Sequence, residues 1–318
     1  MGRYLVTGGA GFIGSQLTGQ LLENGDEIVC IDNFNDFYDP QIKADNIKEF
    51  KDNEKFSLER GDIIDKDFLE DVFNKYSFDQ VIHLAARAGV RPSIKDPLLY
   101  EEVNVKGTIN ILECLKKHNI SKMVFASSSS VYGVNQKVPF SEGDLLQQTI
   151  SPYAVTKVAG ELMCYSYSHL YNMAITCLRF FTVYGPCQRP EMAIHKFTRA
   201  IFNGEEIPVF GDGLSQRDYT FVDDIVVGIR SAIEKKFAFE IINLGNSYAV
   251  KLKDLIAVLE RAIGKKAKIK RLEAQPGDVP VTYACIDKAK RMLNYNPQTR
   301  IEAGVEKFVT WYRKNNNL

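Results

Sequence analysis

The sequence predicts an α/β protein: a doubly wound parallel sheet of Rossmann type with a second, smaller α/β lobe. Three observations carry the prediction. Short apolar runs alternate with amphipathic stretches from the first residues onward, the rhythm of βαβ units. A glycine-rich turn, Gly8-Gly9-Ala10-Gly11-Phe12-Ile13-Gly14, joins the first apolar run to the first amphipathic stretch. After about residue 180 the alternation loosens and Gly and Pro gather, as in a loop-rich lobe.

The apolar runs fall at 4–6, 28–31, 56–58, 81–84, 123–126 and 175–178, and read as strands. The stretches 12–23, 68–76 and 100–117 read as helices between them. Right-handed crossovers then wind the sheet on both faces. Residues 1–178 are expected to form the nucleotide-binding domain and 179–318 the substrate lobe. The segment about 217–245 is expected to return to the first domain, because 219–235 reads as a strand and helix.

Size and charge bound the function. A chain of 318 residues suits one large domain or two unequal ones. Lys+Arg and Asp+Glu are both 40, so there is no basic excess of the kind nucleic acid attracts. An anionic ligand has to be met by a few placed cations. The six cysteines form no C-x-x-C pair and have no His at metal-ligand spacing. They read as thiols of a reducing compartment, and no metal is expected. The first strand starts at once, without a signal-peptide pattern, and no apolar run reaches membrane-span length. A soluble, cytoplasmic protein is expected.

Gly8, Gly11 and Gly14 give G-x-x-G-x-x-G, a variant of the dinucleotide fingerprint. The first glycine allows a tight turn, the second lets a pyrophosphate approach, and the third lets helix and strand pack closely. The helix start, with Phe12 and Ile13, offers free N–H groups to phosphate. Asp32 ends the second strand, where a carboxylate holds the adenosine ribose, and Asn33 follows it. A carboxylate there repels a 2′-phosphate, so NAD is favoured over NADP. Asp62 and Ile63 end the third strand, and Asp62 is either an adenine contact or a turn aspartate. Leu84, Ala85 and Ala86 leave room for the cofactor at the end of the fourth.

Four serines, 127–130, follow the fifth strand, and Ser151-Pro152 precede Tyr153-Ala-Val-Thr-Lys157. Ser151 suits an N-cap and Pro152 a first turn. Four residues apart, Tyr153 and Lys157 share a helix face. A free tyrosine, with its pKa near ~10, is a poor base at neutral pH, and a nearby ammonium favours its phenolate. The pair reads as a general acid/base with a serine hydroxyl as orienting partner. The alternative is a helix-surface pair.

Together the glycine set, Asp32, Asp62, the serine run and Tyr153/Lys157 resemble the extended short-chain dehydrogenase/reductase superfamily over nearly the whole chain. The resemblance implies Ser128 as the catalytic hydroxyl, because it lies four residues before the Tyr132-Gly133 tyrosine. It implies Ser129 and Ser130 as substrate contacts. Sugar-nucleotide dehydratases of the superfamily carry Asp-Glu after this residue, and decarboxylases of UDP-glucuronate a nearby Glu. Two serines stand here instead.

Further segments resemble UDP-glucuronate 4-epimerases: Asp32 to Asp39, Ala88-Gly89-Val90-Arg91, the long stretch from Arg179 to Ala193, Gly211-Asp212-Gly213 with Arg217-Asp218-Tyr219, and Gln275-Pro276-Gly277-Asp278-Val279. Cys187-Gln188 departs from the usual Trp-Gly, and Arg87 stands where Gln is common. The resemblance implies Arg217 as diphosphate ligand, a role that bidentate guanidinium suits. It implies Asp278 as an acceptor for ribose hydroxyls and Thr182 as a donor to a uronic acid carboxylate. Arg91 and Arg189 are candidates for carboxylate or nucleotide, with a structural ion pair as the other reading of Arg91. The expected function is NAD-dependent 4-epimerisation of a UDP-sugar, UDP-glucuronic acid to UDP-galacturonic acid. A neutral-sugar 4-epimerase is the alternative, then decarboxylation, then a non-catalytic NAD sensor. A homodimer is expected by resemblance, paired through the helices near 98–117 and 153–171.

Overall fold

The glycine turn sets the geometry from which the rest of the fold follows. Gly8 has a φ of +71°, a left-handed conformation that side chains rarely adopt. The structure, a computed structural model, describes residues 1–146, 148–273, 280–316 and 318.

Strand β1 (Arg3–Thr7) leads into α1 (Phe12–Glu23), β2 (Glu27–Asp32) into α2 (Pro40–Asn46), and β3 (Phe56–Arg60) into α3 (Lys66–Lys75). β4 (Gln80–His83) is followed by α4 (Val90–Lys95) and α5 (Pro97–Glu101). A π-helical turn, Glu102–Lys106, joins α5 to α6 (Gly107–Lys117). Next come β5 (Lys122–Ser128), α7 (Pro152–Tyr171), β6 (Ala174–Phe180), β7 (Thr182–Tyr184), α8 (Ala193–Asn203), β8 (Glu206–Phe210) and β9 (Gln216–Phe221). The chain ends with α9 (Val222–Glu234), β10 (Phe239–Leu244), β11 (Ala249–Lys251), α10 (Leu252–Ile263), β12 (Lys268–Leu272), β13 (Val281–Thr282), α11 (Asp287–Leu293) and α12 (Ile301–Asn316).

Among the described residues, seven strands form one sheet in the order β10-β6-β5-β4-β1-β2-β3. All its pairings are parallel. The winding reverses between β1 and β4, and a crevice opens at the carboxyl ends of such neighbours. β6 is buried along its whole length, as a strand covered on both faces must be. β9 pairs with β7, β11 and β13 in a smaller sheet, and β8 pairs with β12.

Several boundaries differ from expectation, each for a local reason. β5 runs on to Ser128 because Ser127 and Ser128 stay in register with Arg179 and Phe180 of β6. The two serines are therefore strand residues. α3 starts early because the Asp65 carboxylate accepts from Phe68 N–H at 3.1 Å. The expected helix over 100–117 runs on through the π-helical turn, with right-handed helical dihedrals at Glu102 and Gly107. Within that turn, Asn104 bonds the loop after β4 and helix α7. Just past it, a Cβ on Gly107 would lie 2.6 Å from Ile63 Cδ1, so α6 packs closely under the third strand's loop.

The segment about 217–245 splits between the sheets. β10 is a strand of the large sheet, and α9 shares a core with α1 through Val222, Ile225, Val226 and Ile229. β9, read from the sequence as returning with them, belongs to the small sheet. Its buried Asp218 accepts from the backbone N–H of Asn246, Ser247 and Ala284 at 2.7, 2.9 and 3.1 Å. That carboxylate fastens β9 to the turn after β10 and to the segment before α11.

Candidate active site

A cavity of about 390 Å³ opens at the carboxyl ends of β1, β2, β4 and β5. Gly8, Gly11, Phe12, Ile13, Gly14, Asp32, Asn33, Asp62, Ile63, Leu84, Ala85 and Ala86 line one part of it. Ser128, Ser129, Ser130, Tyr153, Lys157, Thr182 and Arg189 line the other. Arg91 and Arg217 do not line it. Arg91 lies exposed on α4 with its guanidinium 5.0 Å from the Phe210 ring. Arg217 is half-buried on β9 and donates to the Gln216 carbonyl at 2.8 Å. Asp278 lies outside the described residues.

The glycine end suits an adenine dinucleotide. A Cβ on Gly8 would lie 2.8 Å from Ala85 N, and one on Gly14 2.2 Å from the Gly8 carbonyl. Both glycines are thus required by backbone packing. Gly9, absent from the fingerprint reading, is equally confined: its Cβ would meet Cys30 Sγ at 2.5 Å. Gly11 caps α1 without a side-chain bond, so the helix turns free N–H groups and its positive dipole end toward the cavity. Asp32 is buried and accepts from Phe34 N–H and from Lys43 Nζ, both at 3.0 Å. Lys43 is a site residue that the sequence reading missed, because it is brought back by α2. Asp62 accepts from Asn33 Nδ2 at 2.6 Å and from Ile64 N–H at 3.1 Å, which ties the ends of the second and third strands together.

At the other end, Ser151 caps α7 by accepting from Ala154 N–H at 3.2 Å, and Pro152 occupies its first turn. The helix brings Tyr153 and Lys157 beside Ser128. Lys157 is 4% exposed and donates to the Ala126 carbonyl at 2.7 Å. Its Nζ is 6.0 Å from the centre of the Tyr153 ring. Burial pulls its pKa down to about 8, against an upward pull from Cys164, Glu161 and Cys177. Burial pushes the Tyr153 phenol above its ordinary value, while a hydrogen bond from Ser128 and the positive charge of Arg189 draw it down. The expectation gave that lowering to the Lys157 ammonium. Lys157 is turned to the Ala126 carbonyl instead.

Beneath this pair lies a buried network that the sequence reading missed. Glu161, one turn beyond Lys157, accepts from Ser127 Oγ at 2.5 Å. It also accepts from Arg179 Nε and Nη2, both at 2.8 Å. Arg179 Nη1 donates to the Tyr132 hydroxyl at 3.0 Å, and that hydroxyl donates to Asn243 Oδ1 at 2.7 Å. The available signal was a Glu four residues after Lys157 and an Arg in a strand that is otherwise apolar.

Cys187 has a φ of +63°, and Gln16 on α1 donates to its sulfur at 3.4 Å. Gln188 is buried and donates to the Val183 carbonyl at 3.3 Å. The Cys187-Gln188 departure therefore closes the loop onto α1 and β7. Among the described residues, no cluster of His, Cys, Asp or Glu is arranged for a metal, and no helix is long and apolar enough to cross a membrane. All six thiols are free.

Residues 5–308 match the family described as GDP-mannose 4,6 dehydratase. The chain is 44% identical to a UDP-glucuronate 4-epimerase of Thermodesulfobacterium geofontis (strain OPF15), covering 100% of this chain and 98% of the relative. It is similar to the crystal structure of UDP-glucuronic acid 4-epimerase from Bacillus cereus in complex with UDP-glucuronic acid and NAD. There the TM-score is 0.91 at 37% identity, over 98% of this chain and 99% of that one. A UDP-glucose 4-epimerase from Thermotoga maritima, with UDP-glucose, gives a TM-score of 0.91 at 32% identity, over 99% of each chain. The chain belongs to the GDP-mannose 4,6 dehydratase family, within the extended short-chain dehydrogenase/reductase superfamily, to which its glycine turn and its Tyr153/Lys157 pair point.

Proposed function

We propose that this protein is an NAD-dependent 4-epimerase that interconverts UDP-glucuronic acid and UDP-galacturonic acid through a 4-keto intermediate. One observation carries the reading: a single cavity joins a dinucleotide cradle to Tyr153, Lys157 and Ser128, with Thr182 and Arg189 on the same wall. The epimerases of T. geofontis and B. cereus support the choice of sugar and cofactor.

The N-terminus of α1, between Gly8 and Gly14, would hold the cofactor's pyrophosphate, and Asp32 with Lys43 would hold its adenosine ribose. NAD bound there would supply the hydride acceptor and donor for C4. Tyr153 takes the proton of the 4′-hydroxyl and returns it after the sugar has turned. Ser128 orients that hydroxyl, and Lys157, held on the Ala126 carbonyl, keeps its positive charge 6.0 Å from the centre of the Tyr153 ring. Thr182, Ser129 and Ser130 hold the carboxylate with Arg189, and Arg217 is assigned to the diphosphate. Asp278 is assigned to the uridine ribose. Next to Ser128, two serines offer no carboxyl acid for an elimination.

A second copy of the chain is proposed to cover α5 and α7. Leu98, Leu162 and Leu170 there are 79%, 61% and 65% exposed, an apolar surface that supports a homodimer. Its free thiols suit a cytoplasmic setting.

The test is NMR of the purified protein with UDP-glucuronic acid and, separately, UDP-glucose, without added NAD. Appearance of UDP-galacturonic acid from the first alone is the expected result. Conversion of UDP-glucose alone overturns the carboxylate assignment, and a pentose product replaces epimerisation with decarboxylation. No product from either sugar, even with NAD supplied, overturns the enzymatic reading.

A further inference from the structure

The cavity contains a second arginine to which none of these roles falls. Arg87, in the loop after β4, is half-buried and lines the same cavity as Tyr153, Ser128 and Thr182. Its guanidinium lies 5.9 Å from the centre of the Phe37 ring, and that of Arg189 lies 5.8 Å from the same centre. Two cations therefore share one aromatic ring.

The backbone of Arg87 is fixed with respect to the catalytic helix. Its N–H donates to Asn104 Oδ1 at 2.8 Å, and its carbonyl accepts from Asn104 Nδ2 at 2.9 Å. The same Nδ2 donates to Thr156 Oγ1, adjacent to Lys157, at 3.0 Å. One asparagine side chain thus holds the Arg87 peptide in register with α7. The Arg87 side chain itself is held loosely, donating to Asn35 Oδ1 at 3.4 Å, which is long for a hydrogen bond.

The charge balance of the cavity singles Arg87 out. Lys43 is answered by Asp32, and Arg189 by Glu191 at 3.2 Å. Among the described residues, no carboxylate forms an ion pair with Arg87. Its charge also reaches the chemical end of the cavity. The Tyr100 ring meets the Tyr153 ring edge-on at 6.2 Å, and the Tyr100 hydroxyl feels both Arg189 and Arg87.

We propose that Arg87 is a specificity residue, which together with Arg189, its neighbour at the Phe37 ring, binds the carboxylate of a sugar acid. This rests on the reading of the site as a uronic acid epimerase. A planar carboxylate accepts from guanidinium edges in matched pairs. The Phe37 face limits the freedom that the long Arg87 side chain loses on binding. A neutral sugar leaves the Arg87 guanidinium without a carboxylate, which penalises it without any clash.

The test compares binding in the Tyr153→Phe holoenzyme with and without Arg87→Gln. Isothermal titration with UDP-glucuronic acid, UDP-glucose and UDP gives three dissociation constants for each protein. The expected result is a rise of about 10- to 100-fold for UDP-glucuronic acid alone, the usual worth of a charge-assisted bond. Arg87→Lys should keep part of the preference, and bound NAD and the melting temperature should not move. Equal weakening for all three ligands would assign Arg87 to the diphosphate and overturn the proposal. Unchanged constants, or loss of NAD, would overturn it too. Failure of the underlying function looks different: the unsubstituted enzyme would make no UDP-galacturonic acid, and the Tyr153→Phe parent would not prefer the acid to the neutral sugar.

Discussion

Glu161 grips Arg179 by two parallel hydrogen bonds of 2.8 Å, one helical turn from Lys157. Both side chains are almost fully buried. The pair ties α7 to β6, and through Ser127 it also ties α7 to the end of β5. Those are the elements that carry Tyr153, Lys157 and Ser128. Replacing one partner leaves the other charge buried alone, which costs about 3–5 kcal/mol. Glu161→Gln and Arg179→Met should each lower stability by that order in denaturant titrations. The double variant Glu161→Met with Arg179→Met should recover much of the loss, because a matched apolar pair leaves no stranded charge.

The same carboxylate reaches the chemistry. Lys157 titrates at about 8, because burial outweighs the upward pull of Cys164, Glu161 and Cys177. The ammonium is present below that pH and lost above it. If the ammonium is the working form, kcat/KM should fall as pH rises through about 8. Glu161→Gln removes a negative charge that favours the ammonium, so the falling limb should move to lower pH. A pH profile of kcat/KM for both proteins checks this. A limb that stays in place would separate Glu161 from the lysine's titration.

Tyr153→Phe isolates the proton transfer. The ring still fills its place against Tyr100, so the cavity should keep its shape. Turnover should fall by about 10²- to 10⁴-fold, the usual worth of a positioned acid/base. Bound NAD and melting temperature should be unchanged. Single-turnover NMR with UDP-glucuronic acid reads the loss, and a matching loss of NAD would show a structural role for the phenol instead.

The parts of the site that were legible in the sequence are those fixed by local spacing. Gly8 and Gly14 answer to backbone approach within one turn, and Tyr153 and Lys157 to one turn of a helix. Asp32 is marked by its place at the end of a strand. The other contacts depend on chain returning from a distance. Lys43 reaches Asp32 only because α2 folds back across β2. Asn104 reaches Thr156 across 52 residues, and Arg179 reaches Glu161 across 18. Arg91 and Arg217 show the converse. Their charge suits phosphate, but charge type alone does not report where an element lies, and among the described residues neither lines the cavity around Tyr153. The π-helical turn was hidden for a related reason, since no helix-breaking residue marks it and the partners of its Asn104 lie far along the chain.

His83 gives a prediction for stability in acid. Its imidazole is buried between Thr7 Oγ1 at 2.7 Å and Thr108 Oγ1 at 3.1 Å. Burial, and then the charge of Lys157, lower its pKa to about 3. In the unfolded chain it takes a proton near ~6.5. Between these values the unfolded state holds a proton that the folded state lacks, so stability falls as pH falls. The contribution is fully present above about 6.5 and is lost toward pH 3, with a limiting slope of about 1.4 kcal/mol per pH unit. Asp218 acts in the opposite sense. Burial raises its pKa to about 6, so its contribution is largest below the ordinary carboxylate range and is lost as pH rises through about 6. A bare stability curve therefore mixes the two. Comparing the wild type with His83→Gln separates them, because Asp218 is common to both proteins. The difference in unfolding free energy should change with pH only between about 6.5 and 3, with the wild type losing more. Parallel curves would mean that His83 keeps its ordinary titration in the folded protein.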